Sequence, residues 1–165
     1  MLSDTIDNSK DTIKKAHDDY AKIFKRKYGN GLVEEYKLEG KKTAIITMGS
    51  LAGNVREVVD SRKDVGLLRI RSFRPFPKDD IIKALKKVKT VLIFEKDISL
   101  GAGYGALYHE IKSALGDKIK VIDYIVGMGG IDCTVDSIDE AVEKSKSRID
   151  SETVWIFDDA KHVKY

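Results

Sequence analysis

Four short apolar runs set the limits on what this chain can fold into. They are "TAIITMG" from Thr43, "VGLLRI" from Val65, "TVLIFE" from Thr90 and "KVIDYIV" from Lys120. Each is nearly continuous rather than alternating, the pattern of strands buried on both faces. Amphipathic stretches of helical period separate them: "NVREVVDSR" from Asn54, "KDDIIKALKKV" from Lys78 and "GALYHEIKSAL" from Gly105, with a last helix over about 136–148. Asn54 with Glu57 three residues on has the spacing of a helix capping box. Strands alternating with helices of this length predict an α/β fold: a single three-layer α/β/α domain with a mostly parallel sheet. The right-handed crossover rule then sets the hand of each unit.

Two flanks extend this frame. Residues 4–27 carry Ile6, Ile13, Tyr20, Ile23 and Phe24 at helical spacing between charges, and Gly29 and Gly31 supply a stop. The expected division is an N-terminal helix or linker over 1–30, the α/β domain over 31–150, and a C-terminal strand or tail over 151–165. The helix has the look of an arm that packs on something. "TVWIF" at Thr153 reads either as an edge strand or as a docking tail.

Composition narrows the function classes. Lys and Arg number 30 against 27 Asp and Glu, a formal charge of +3, so the charges are mixed and the pattern argues against nucleic acid as a partner. No run approaches the roughly 20 apolar residues of a membrane span, and the acidic start "MLSDTIDNSKD" is unlike a secretory signal. The expected location is cytoplasmic. One cysteine, Cys133, makes no internal disulfide and falls short of the thiolates of an iron–sulfur cluster; it reads as an inert small side chain. The three histidines are scattered, and His109 with Glu110 lacks the second histidine of a zinc helix.

In a parallel sheet, ligands bind where loops leave the carboxyl ends of the strands. Four loops qualify. "MGSLAGN", with Ser50 and Gly53, is either a tight strand–helix turn or an anion contact at a helix N-terminus. "RSFRPFP" holds both prolines of the chain, Pro75 and Pro77, and displays Arg71 and Arg74. Pro77 suits the first helical position, and Asp79 and Asp80 suit the first turn. Rigidly held guanidinium groups there fit a carboxylate or a phosphate. "DISLGAGYGALYHE", with Ser99, Gly101 and Gly103, looks like a nucleotide loop, though its spacing is G-x-G-x-G. "GMGGIDCT", with Asp132, is again rich in glycine.

Taken in order, "GLVEEYKLE", "TMGSLAGNVREVVD", "VGLLRIRSFRPFP", "ISLGAGYGALYHEIKSAL" and "GMGGIDCT" resemble the C-terminal part of the alpha chain of pyruvate:ferredoxin oxidoreductase. The resemblance runs from the N-terminal helix to about Ile149. The "FRPFP" and "SLGAGYGALY" loops are closest to the pyruvate type within the 2-oxoacid:ferredoxin oxidoreductases. It implies a fold like the C-terminal domain of transketolase.

It also implies partner domains or subunits that carry thiamine diphosphate, Mg and iron–sulfur clusters, pass the acyl group to coenzyme A, and reduce ferredoxin indirectly. The chain itself lacks a G-D-G diphosphate motif and a cysteine set, so no cofactor and no catalytic residue is expected on it alone. The implied role is a non-catalytic structural or assembly subunit or domain. Ser50, Gly53, Arg71, Arg74, Ser99, Gly101, Gly103 and Asp132 are the expected ligand or interdomain contacts. Where the family usually reads Gly-Gly-Arg-Asp, this chain has Gly129-Gly130-Ile131-Asp132, which removes one such arginine. The alternative function is a free-standing binder of a nucleotide or coenzyme A phosphate on the glycine-rich rim.

Overall fold

The computed structural model describes residues 2–148 and 152–156. A long helix, α1 (Leu2–Phe24), precedes a six-stranded sheet. The strands are β1 (Val33–Tyr36), β2 (Thr43–Met48), β3 (Val65–Ile70), β4 (Thr90–Glu95), β5 (Lys120–Ile125) and β6 (Glu152–Trp155). The helices between them are α2 (Ala52–Ser61), α3 (Lys78–Ala84), α4 (Ala106–Leu115) and α5 (Val135–Ser145). The order across the sheet is β1-β3-β2-β4-β5-β6, with β1 antiparallel and every other pairing parallel. The four apolar runs are the four central strands, as their composition predicts.

Successive side chains point to opposite faces, so each central strand feeds two cores. Ile45, Leu67, Leu92, Phe94, Ile122 and Tyr124 meet Val55, Val58 and Val59 of α2 and Ile138, Ala141 and Val142 of α5. On the other face, Ala44, Ile46, Leu68, Val91, Ile93 and Val121 meet Ile81 of α3 and Leu107 and Ile111 of α4. Phe94 and Tyr124 stack at 4.8 Å, and the Tyr124 hydroxyl donates to the carbonyl of Ala141. Arg62, just past α2, reaches Asp64, Asp139 and Glu143 and so ties α2 to α5.

Four expectations need correction. The stretch ahead of Thr43, where no strand is expected, forms β1 over Val33–Tyr36, with Glu34 opposite Arg69 and Tyr36 opposite Leu67. Asn54 is not a helix cap. The 3-10 turn Gly49–Leu51 runs directly into α2, which begins at Ala52, and the Asn54 amide donates instead to the carbonyl of Cys133 at 2.7 Å. Pro77 precedes α3 as its N-cap rather than opening it.

The fourth concerns handedness. Because α5 shares a face with α2 while α4 lies on the other, the connection from β5 to β6 turns in the opposite sense to the three before it. The rule describes a strand returning tightly onto its neighbour. Here β6 is a four-residue edge strand, separated from α5 by residues 146–151. "TVWIF" thus contributes an edge strand, and residues 157–165 of the expected tail lie outside the described residues.

The N-terminal helix touches its own domain through its middle. Lys14 binds Asp80 at 3.1 Å, Asn30 donates to the same carboxylate at 2.7 Å, and Ile13 and His17 pack over Gly31. Its ends stay out: Leu2, Ile23 and Phe24 are exposed. No helix among the described residues is long and apolar enough to cross a membrane.

Candidate functional site

Strand order reverses beside β2. From β2 the chain moves to β3 on one side by way of α2, then returns past it to β4 and α4 on the other face. The loops leaving β2 and β4 therefore diverge, and a crevice opens between them, as at the binding sites of other doubly wound sheets. Its volume is about 400 Å³. Met48 and Leu51 line one wall, Phe73 another, and Phe94, Lys96, Asp97 and Leu107 the third.

Glu95 and Asp97, which line this crevice, belong with Asp123 to a carboxylate set that composition and spacing do not reveal. Glu95 ends β4 and Asp123 sits within β5, both almost fully buried. Glu95 accepts the backbone N–H groups of Leu107 and Tyr108, each at 2.8 Å. Asp123 accepts that of Gly105 at 3.0 Å, and Asp97 that of Ala106 at 3.3 Å. A helix N-terminus carries about four unpaired N–H groups and a partial positive charge. Here side-chain carboxylates take all four, from Gly105 to Tyr108.

Loss of water raises the affinity of Glu95 for its proton. Burial raises that of Asp123 further, and the Glu95 charge beside it adds to the effect. Burial and the like charge beside it thus favour the protonated form of Asp123. Gly105 is what lets them close in: a Cβ there would stand 2.0 Å from the Glu95 carboxyl carbon.

This geometry corrects the nucleotide-loop reading of "SLGAGYG". The N–H groups that would cradle a phosphate are already bonded to acids, and an anion would meet three carboxylates. Half-buried Ser99 closes the loop through its backbone, its N–H donating to the carbonyl of Tyr104 and its carbonyl accepting from Ala102. Gly101 and Gly103 adopt left-handed backbone angles at the exposed tip, beside Leu100, which is 94% exposed. Ser50 lines the crevice, and Gly53 lies exposed in the first turn of α2. Asp132 is exposed ahead of α5. Cys133 is buried, which raises its pKa and keeps the thiol protonated.

The two arginines of the proline loop part company. Arg74 binds Glu110 and lies over the Phe73 ring at 4.3 Å, while the Arg74–Pro75 peptide is cis. Arg71 joins Arg56 and Arg69 around Glu34 on the opposite flank. Phe73 and Phe76 meet edge to face at 6.1 Å and fold back on the α3–α4 core. Among the described residues, no group of three or more His, Cys, Asp or Glu side chains is arranged to hold a metal ion.

These features define an α/β domain with an apolar switch-point crevice whose adjoining helix is capped from within. The family model for the pyruvate:ferredoxin oxidoreductase core domain II matches residues 42–138, and the chain belongs to that family. It is 42% identical over 160 residues to the pyruvate synthase subunit PorA of Methanocaldococcus jannaschii, covering 94% of this chain and 41% of the relative. To the PorA subunit of Methanosarcina barkeri it is 40% identical over 136 residues, 76% of this chain and 34% of that one. The chain thus spans roughly two-fifths or less of the curated relatives it matches. Among solved structures, a 2-oxoglutarate:ferredoxin oxidoreductase from Magnetococcus marinus shares the fold, with a TM-score of 0.56 and 24% identity over 76% of this chain and 21% of that one.

Proposed function

We propose that the chain is a non-catalytic structural or assembly subunit or domain of a pyruvate-type 2-oxoacid:ferredoxin oxidoreductase. The assembled enzyme would convert pyruvate and coenzyme A to acetyl-coenzyme A, CO2 and reduced ferredoxin, in the cytoplasm. The observation that carries this is the 42% identity to a PorA subunit over nearly the whole chain. The sheet, with its antiparallel edge strand, is read as that of the transketolase C-terminal domain.

The cofactors of such an enzyme are assigned to other domains or subunits, because the residues here do not fit them. The single cysteine is buried and protonated, whereas a cluster takes several thiolates. A diphosphate would meet the carboxylates that already occupy the α4 N-terminus.

The apolar walls of the crevice and the projecting Leu100 suit a protein surface, the remainder of the assembly being the occupant. Leu100→Asp should leave the folding stability of the isolated chain within about 0.5 kcal/mol, since an exposed tip is altered. It should weaken association with the partner chains by on the order of tenfold, measured by interferometry on the purified components. Undiminished association would remove this loop from the interface.

A further inference from the structure

Glu34 is buried in β1 directly opposite Arg69 of β3. One arginine would balance its charge, yet three converge on it. Arg56 from α2 makes the closest contact, with Arg69 Nη1 at 3.7 Å and Arg71 Nη1 at 3.4 Å. Three guanidinium groups against one carboxylate leave two positive charges in one place. The contacts of Arg69 and Arg71 with Glu34 are long, and among the described residues Arg69 makes one other, to the carbonyl of Gly49 at 3.4 Å. Most of their donors are uncommitted, and each side chain keeps 30% of its surface open.

These arginines line a concavity of about 480 Å³, closed on its far side by His17, Tyr20 and Tyr28. Both tyrosines are exposed there, at 43% and 42%. Two lining residues carry buried nitrogens, Nε2 of His17 and Nε of Arg56, with no hydrogen-bond partner among the described residues. A buried polar atom left unpaired is costly unless a ligand or water completes it. All three arginines stand on, or next to, a regular element, Arg56 in α2, Arg69 in β3 and Arg71 just past it, so the guanidinium forks are held ready.

We propose that this pocket binds a phosphorylated small molecule, its phosphate groups held by Arg56, Arg69 and Arg71. Guanidinium groups pair with phosphate oxygens two at a time, and a dianion matches the two surplus charges. Tyr20 is held by stacking on Phe24 at 4.5 Å, and the exposed Tyr28 beside it offers an aromatic face for a ring attached to the phosphate. The site lies apart from the α4 N-terminus, and it stands whether or not the chain belongs to a pyruvate-type enzyme.

Calorimetric titration with pyrophosphate, then with ADP, tests the proposal on the full chain, using sodium chloride at matched ionic strength as the control. Saturable binding is expected for both. Arg71→Gln should weaken it about tenfold, one charge-assisted pair being lost. Glu34→Gln should act in the opposite direction and tighten it several-fold, because the competing carboxylate is gone. Thermal unfolding of both variants checks that they fold; if Glu34→Gln does not, Arg71→Gln decides alone. Absence of saturable binding at millimolar pyrophosphate overturns the proposal, as does binding that Arg71→Gln leaves unchanged.

Discussion

Replacing Gly105 with alanine is expected to cost on the order of 3 kcal/mol of folding stability, a large loss for the smallest side-chain addition available. The backbone angles are not the reason: φ is −82°, which any residue adopts. The cause is the Glu95 carboxyl group, 2.0 Å from where the new methyl would stand. Glu95 is buried and bonded to two N–H groups of α4, so it yields only by breaking them. Gly53→Ala is the contrast. That position lies in α2 with nothing within 4 Å of an added Cβ, and alanine gains about 0.5–1 kcal/mol from helix propensity. The same chemical change should therefore move urea unfolding midpoints in opposite directions at the two sites. A Gly105→Ala protein as stable as the parent would mean that the carboxylates do not close on α4 as described.

The second large effect is expected from Asp123→Asn. Asp123 titrates near 3.8 in the unfolded chain but holds its proton to about 8 when folded. Between those values the folded state binds more protons than the unfolded one, so stability falls as pH rises. The fall across that window should be on the order of a few kcal/mol. Asparagine is neutral throughout and still accepts the N–H of Gly105, so it escapes the cost of ionising beside Glu95. Asp123→Asn should thus match the parent near pH 4, exceed it near pH 8, and flatten the profile of unfolding free energy against pH. A variant that loses stability equally at both ends would show the carboxyl group to be ionised in the fold.

How much of this was legible beforehand depends on where each residue faces. The four central strands announced themselves because burial on both faces leaves an unbroken apolar run, as in "TAIITM". β1 did not, because "VEEY" reads as polar and one of its acids is buried on arginines from α2 and β3 that are distant in sequence. The start of α2 at Ala52 has no sequence signal, because the 3-10 turn before it carries no capping side chain and the cap-like Asn54 bonds elsewhere.

The carboxylate site had a signal that went unused. An acid closes "TVLIFE" and another interrupts "KVIDYI", and a charge inside a doubly buried strand demands a partner. What periodicity could not give is that both partners are backbone N–H groups of the same helix end. The sequence places Arg71 and Arg74 on one loop, yet one turns back to β1 and the other across to α4. That divergence is set by the loop path, which local sequence does not encode.

Affinity purification of the tagged chain from its own cells tests whether this domain works within a pyruvate-type oxidoreductase. The eluate would be identified by mass spectrometry and assayed for pyruvate- and coenzyme A-dependent reduction of an electron acceptor. Stoichiometric recovery of thiamine- and cluster-bearing chains, or of one longer chain that binds both cofactors, is expected, with that activity. Recovery of the chain alone, inactive with pyruvate and coenzyme A, would contradict it.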